Sequence, residues 1–153
     1  MIFVTVGTAR DFSRLIKKID KIAGKISEKI IIQRGKTKHK PKNCEYFSFV
    51  SREEFLEYIK GADVVITHGG VGSIINSLKY GKPTIVVPRR KKYNEHRNDH
   101  QMDIARELES EGKALACYDV ENLEKKIRKV RTLKIKSEIS QIRKILENFI
   151  EER

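Results

Sequence analysis

The chain has 153 residues, enough for one domain with its own core, and 39% of them are hydrophobic. Its 33 Lys+Arg against 21 Asp+Glu leave a formal net charge of +12, which points to anionic partners: nucleic acid, phosphorylated ligands or an acidic membrane face. The longest apolar runs are far too short to cross a bilayer, so membrane association is expected only at the periphery or through a partner.

A Lys/Glu-rich solvated surface would give a similar charge balance, and charge alone does not separate the two readings. The two cysteines, Cys44 and Cys117, lie far apart and in no metal-ligand spacing. A reduced, intracellular protein is the simplest expectation, and no basic leader precedes the first strand.

Residues 1–6 read as a buried strand. Phe12, Leu15, Ile16, Ile19 and Ile22 then follow helical spacing, with Asp11 or Ser13 as the cap and Gly24 as the stop. Ile30-Ile31-Ile32 forms a second strand. Arg34 to Lys42 is basic and polar and predicts an exposed loop. No aromatics interleave with its charges, so nucleic-acid binding is not favoured.

Glu45 to Val50 predicts a third strand. Ser51 and Glu54 form a capping box that opens a helix burying Phe55, Leu56 and Ile59 and ending at Gly61. Val64-Val65-Ile66 is a fourth strand. It turns through His68-Gly69-Gly70-Val71-Gly72-Ser73 into a helix whose apolar positions are Val71, Ile74, Ile75 and Leu78. Gly81 and Pro83 end that helix, and Thr84 to Val87 is a fifth strand. A polar stretch from Pro88 to Gln101 leads into a helix carrying Met102, Ile104, Ala105 and Leu108. Ala114 to Cys117 is a last strand. Helices are expected over Val120 to Val130 and Ile135 to Ile150, the latter with Ile139, Ile142, Leu146, Phe149 and Ile150 on one stripe.

Strands alternate with helices throughout, which implies an open parallel sheet with helices on both faces. Ligands of such sheets sit beyond the carboxyl ends of the strands. The glycine turn after the fourth strand stands at such an end. Without Cβ atoms a ligand can approach its backbone, and the first amides of the helix carry the positive end of the dipole. That makes a site for phosphate. The turn is neither the dinucleotide fingerprint, which has an acidic residue about 20 positions later, nor a P-loop, which needs Gly-Lys-Ser/Thr.

The ordered set Phe3-Val4-Thr5-Val6-Gly7-Thr8, Asp63 to Ser73, Gly81 to Arg89, Asn94-Glu95-His96 and Asp99-His100-Gln101 resembles the C-terminal domain of glycosyltransferase family 28. Within that family it is similar to stand-alone catalytic subunits of two-part UDP-N-acetylglucosamine transferases, and to bacterial two-part exopolysaccharide transferases. The resemblance covers residues 1–117, leaving 118–153 as C-terminal helices of a single nucleotide-sugar-binding domain.

The resemblance implies a Rossmann-like fold, the nucleotide-sugar half of a GT-B enzyme. It implies a UDP-sugar donor and a lipid-linked acceptor. A membrane-anchored partner subunit would carry the acceptor site and recruit an otherwise cytoplasmic chain. Gly69, Gly70, Gly72 and Ser73 would cradle the donor diphosphate, with His68 shaping the turn. Gln101, with His100, would reach the sugar or its phosphates. Val50 would meet the uracil, and Gly7 and Thr8 would line the cleft. Glu95 and His96 would lie in the loop facing the donor. Asn76 stands where the broader family often has a Glu for the ribose hydroxyls; Asn can still donate and accept hydrogen bonds.

The sequence holds no Asp-x-Asp, so no metal and no cofactor is expected. The glycine-turn amides and Arg89 would meet the charge on the departing diphosphate in an inverting, single-displacement transfer. His96, or a residue of the partner, would be the general base. The alternatives are a nucleic-acid or nucleotide-binding module, suggested by the charge, and a catalytically silent regulatory subunit, suggested by Asn76.

Overall fold

The computed structural model describes residues 1–133 and 139–150. Six strands form one parallel sheet: β1 (Ile2–Thr5), β2 (Ile30–Gln33), β3 (Glu45–Phe47), β4 (Val64–Thr67), β5 (Thr84–Val86) and β6 (Leu115–Ala116). Their spatial order is β3-β2-β1-β4-β5-β6. This is the Rossmann order, and the chain reverses its winding direction between β1 and β4. The helices are α1 (Ser13–Ala23), α2 (Arg52–Gly61), α3 (Val71–Lys79), α4 (His100–Ser110), α5 (Leu123–Val130) and α6 (Ile139–Ile150).

The continuous apolar runs of the strands follow from burial on both sides. Alternate side chains point to opposite faces. Ile2, Val4, Ile30, Ile32, Val64 and Ile66 join one core with Leu15, Ile16 and Ile19 of α1 and Leu123 and Ile127 of α5. On the other face Phe3, Ile31 and Val65 pack with Ile59 of α2, and Val86 and Ala116 pack with residues of α3, α4 and α6. Phe3 anchors that second face, stacked on Tyr58 at 5.3 Å between ring centroids and edge-on to Phe55 at 5.7 Å. Aromatic pairs at such spacings contribute beyond their buried area.

Several local expectations change. The third strand ends at Phe47, and Ser48 to Val50 run on outside the sheet. Ile59 is the buried residue of α2, while Phe55 and Leu56 are only half-buried. Ser51 does cap α2 by accepting the Glu54 N–H at 3.2 Å. Phe12, rather than Asp11 or Ser13, occupies the N-cap of α1; Asp11 accepts the Ser13 N–H from one residue earlier. The basic loop from Arg34 to Lys42 is not simply exposed, because Gly35, Thr37 and Pro41 are buried. It is pinned to α1: Thr37 Oγ1 accepts the Phe12 N–H, Asp11 accepts the Lys38 N–H, and Asp20 accepts those of Lys42 and Asn43. Of the expected final helix, Ile135 and the side chains of Ile139, Phe149 and Ile150 lie outside the described residues; Ile142 and Leu146 are buried. Among the described residues no helix is long and apolar enough to cross a membrane.

Candidate functional site

The strands β1, β2, β4 and β5 end on one rim, and a cleft of about 680 Å³ opens there, across the switch point between β1 and β4. Its walls come from the β1–α1 loop, the end of β2, the segment after β3, the start of α3 and the β5–α4 loop. Of the expected site residues, the cleft gathers Gly7, Thr8, Val50, His68, Gly70, Gly72, Ser73, Asn76, Arg89, His96 and Gln101.

The glycine turn is built around the imidazole of His68. A Cβ on Gly7 would lie 2.8 Å from His68 Nε2, and one on Gly70 would lie 2.3 Å from the same atom. Both distances are below any real contact, so the ring fills the space these two glycines leave and locks the β1 loop against the start of α3. Burial, with the nearby Arg89 charge second, pushes the His68 pKa down to about 3. The ring is therefore neutral near pH 7 and adds no charge of its own. Gly72 differs from its neighbours: a Cβ there would meet nothing within 4 Å. Its missing side chain serves open space in the cleft rather than packing.

Helix α3 begins at this turn with Gly70 as N-cap and no side-chain cap. Its first N–H groups have no partner within the helix, and they carry the dipole's positive end. Ser73 and Asn76 follow along the cleft wall. The arrangement can accept an anion at the backbone and hydrogen-bond a polar group one turn further in.

Gln101 ties two strand ends together. Its Oε1 accepts the Gly69 N–H at 3.2 Å and the Arg89 N–H at 2.9 Å. Only its amide NH₂ is left for a ligand. Gly69 is buried behind it: a Cβ there would lie 2.5 Å from Gln101 Cβ. Gly69 therefore supports the turn from behind and does not line the cleft.

The β5–α4 loop departs furthest from expectation. Arg89 borders the cleft but is only 3% exposed. Its guanidinium donates to the carbonyls of Val6, Arg10 and Asp11 and lies 4.8 Å over the Phe12 ring. Burial lowers its pKa to about 10, partly offset by Glu95 and Asp11, so it remains charged at neutral pH. Its donors hold the β1–α1 loop instead of reaching outward. Glu95 does not face the cleft. It is 5% exposed, accepts from Arg14 Nε at 2.9 Å and Nη2 at 3.0 Å, and accepts the Arg90 N–H. A carboxylate turned inward can satisfy a cation and a loop amide together, and that is what fixes its direction. His100 opens α4, its N–H donating to Asn98 Oδ1, and is not part of the cleft wall.

His96 reaches the cleft. Burial first, and the Arg10 charge second, hold its pKa below the usual histidine value. Its Nδ1 accepts the Asn98 N–H at 3.4 Å. In the neutral ring the proton then sits on Nε2, making that atom a donor.

Sequence reasoning missed Arg10, Gln33, Arg52 and Phe55, all of which line the cleft. Position was the available signal, since Arg10 and Gln33 stand just beyond or at the carboxyl ends of β1 and β2, and Arg52 and Phe55 lie in the first turn of α2, the helix that follows β3. Among the described residues no group of three His, Cys, Asp or Glu side chains comes together as a metal site.

Residues 1–151 match the model of the glycosyltransferase family 28 C-terminal domain. The human UDP-N-acetylglucosamine transferase subunit ALG13 is 34% identical over 127 residues, covering 76% of this chain and 11% of that protein. An uncharacterized glycosyltransferase of Methanosarcina mazei is 32% identical over 118 residues, covering 70% of this chain and 31% of its own. The chain thus spans a tenth to a third of these relatives' lengths. Among solved structures, the glycotransferase of kitacinnamycin superposes with a TM-score of 0.67 at 20% identity, covering 96% of this chain and 39% of its own. The solution structure of ALG13 superposes at 0.61 and 21% identity, covering 89% and 87%. These likenesses carry the fold, while the family model carries the kinship: the chain belongs to glycosyltransferase family 28, as its C-terminal domain.

Proposed function

We propose that this chain is the UDP-sugar-binding catalytic subunit of a two-component, metal-independent, inverting glycosyltransferase. The transferred group is N-acetylglucosamine from UDP-N-acetylglucosamine, and the acceptor is lipid-linked and presented by a membrane-anchored partner. The observation that carries the reading is the cleft at the switch point, opening on the uncapped start of α3 in a family 28 chain. The relatives named as UDP-N-acetylglucosamine transferase subunits support the choice of donor and the need for a partner.

The mechanism follows from the groups on the cleft wall. The diphosphate lies against the amides of Val71, Gly72 and Ser73 and the Ser73 hydroxyl, over the space at Gly72. These donors are aimed before reaction, so charge building on the leaving diphosphate meets fixed dipoles that need no reorganisation. Asn76, one turn on, hydrogen-bonds the ribose, and Val50 borders the uracil. The Gln101 amide NH₂ donates to the sugar or a phosphate. His96, with Nε2 carrying the proton, donates to the donor rather than taking a proton from the acceptor. The base that activates the acceptor oxygen is assigned to the partner subunit.

Calorimetry of the isolated chain with UDP and UDP-N-acetylglucosamine tests donor binding, and silence toward both would overturn the reading. Transfer of radiolabelled sugar to a lipid acceptor by the chain reconstituted with its partner tests the rest. Binding without transfer by the complete pair would leave a regulatory subunit in place of a catalyst.

A further inference from the structure

We propose that Arg10 is the cation that grips the outer phosphate of the nucleotide diphosphate in this cleft. The inference rests on the reading of the cleft as a nucleotide-sugar site. One helix end is worth roughly half an elementary charge. A nucleoside diphosphate brings more negative charge than that, so a further cation is required. Arg89, the obvious choice from the sequence, is spent: buried, it donates to three backbone carbonyls.

One of those carbonyls belongs to Arg10, so Arg89 fixes the Arg10 backbone and leaves its side chain to the solvent. Arg10 is exposed and lines the cleft. Among the described residues its guanidinium makes no hydrogen bond and no ion pair. His96, another residue of the cleft wall, feels its positive charge, and so does the buried Arg89. The β1 loop that carries it touches the start of α3 through Gly7, His68 and Gly70. Arg52 is the second unengaged arginine of the cleft, but it follows β3, three strands from β4 in the sheet. It is thereby assigned to the nucleoside end. A guanidinium fork matches phosphate oxygens two at a time, which a lysine does not.

The test is calorimetry of the whole chain with UDP and with UMP, alongside Arg10→Ala, Arg10→Lys and Arg52→Ala, each checked for folding by thermal melting. Arg10→Ala should lower UDP affinity about tenfold, the scale of one charge-assisted contact, and leave UMP affinity nearly unchanged. Arg10→Lys should recover part of the loss. Arg52→Ala should weaken both nucleotides by a similar factor. Equal losses for UDP and UMP in Arg10→Ala would overturn the proposal, as would a collapse of the UDP preference in Arg52→Ala instead. If the folded wild-type chain binds neither nucleotide, the reading of the cleft itself fails, a result distinct from equal losses.

Discussion

The β4–α3 turn and the β5–α4 loop stand side by side on one rim, and they use their polar groups in opposite ways. The turn wedges His68 between Gly7 and Gly70 at the cleft wall and leaves its amides open to the cleft. The loop and the start of α4 turn three of their polar side chains inward, Arg89 onto the β1–α1 loop, Glu95 onto Arg14, and Gln101 Oε1 onto two backbone amides, while Lys91, Lys92, Arg97 and Asp99 stay exposed. At these two segments the backbone amides face the cleft, and Arg89 and Glu95 brace the loops around it. Burial explains the inversion, since a charged group at a strand end that loses its water must find partners inside the protein.

The largest effect should come from breaking the brace. Arg89→Ala leaves three carbonyls unpaired and a void beside Phe12, and should cost about 3–5 kcal/mol of stability, read by urea unfolding. Arg89→Lys should recover little, because an ammonium cannot span the carbonyls of Val6, Arg10 and Asp11 with one planar group. Glu95→Gln should come next, lowering stability by ~1–2 kcal/mol through the Arg14 contact. If Glu95 faced the donor instead, that substitution would spare stability and weaken binding.

Gly72→Ala probes the other half of the comparison. With nothing within 4 Å of its Cβ, the variant should melt at or slightly above the wild-type temperature. Ala is favoured over Gly within a helix by about 1 kcal/mol. Its affinity for UDP should nevertheless fall by roughly tenfold, because a methyl then occupies the backbone approach. Gly70→Ala should instead lose stability first, since its Cβ would strike His68. A Gly72→Ala protein that binds UDP normally would move the diphosphate away from this turn.

A further effect concerns pH. The folded protein holds His68 near pKa 3, against an ordinary value of 6.5. Between those values the unfolded chain binds the proton that the folded chain refuses. The contribution of neutral His68 is therefore complete above about pH 6.5 and is lost as pH falls toward 3. Melting temperature should drop by about 5 °C or more from pH 7 to pH 4. In His68→Asn the melting temperature should be lower at pH 7 and its decline with acid shallower.

Much of the architecture could be read from residue order. Continuous β-branched runs such as Ile30-Ile31-Ile32 and Val64-Val65-Ile66 have no polar position to turn toward water, so they belong inside a parallel sheet. Helical spacing between them supplied the covering layers, and the motif series supplied the family. The third strand stops at Phe47, short of Val50: Ser48-Phe49-Val50 suits a strand locally, but beyond the Gly35 N–H donated to the Ser48 carbonyl the pairing with β2 ends. The Arg34–Lys42 loop was misjudged because its anchors, Asp11 and Asp20, lie far earlier in the chain.

For the site, the uncapped helix start was legible because its reason is local; what each glycine makes room for was not, since Gly69 packs behind Gln101 and Gly7 and Gly70 make room for His68. Direction was a different matter. Whether Arg89, Glu95 and Gln101 point to the ligand or to the protein depends on Val6, Arg14 and Gly69, which only folding brings within reach. The same is true of Arg10, which is left unengaged because the arginine beside it is already held. Hydrogen bonds between residues some eighty positions apart leave no trace in spacing or periodicity, so the three-dimensional packing had to decide them.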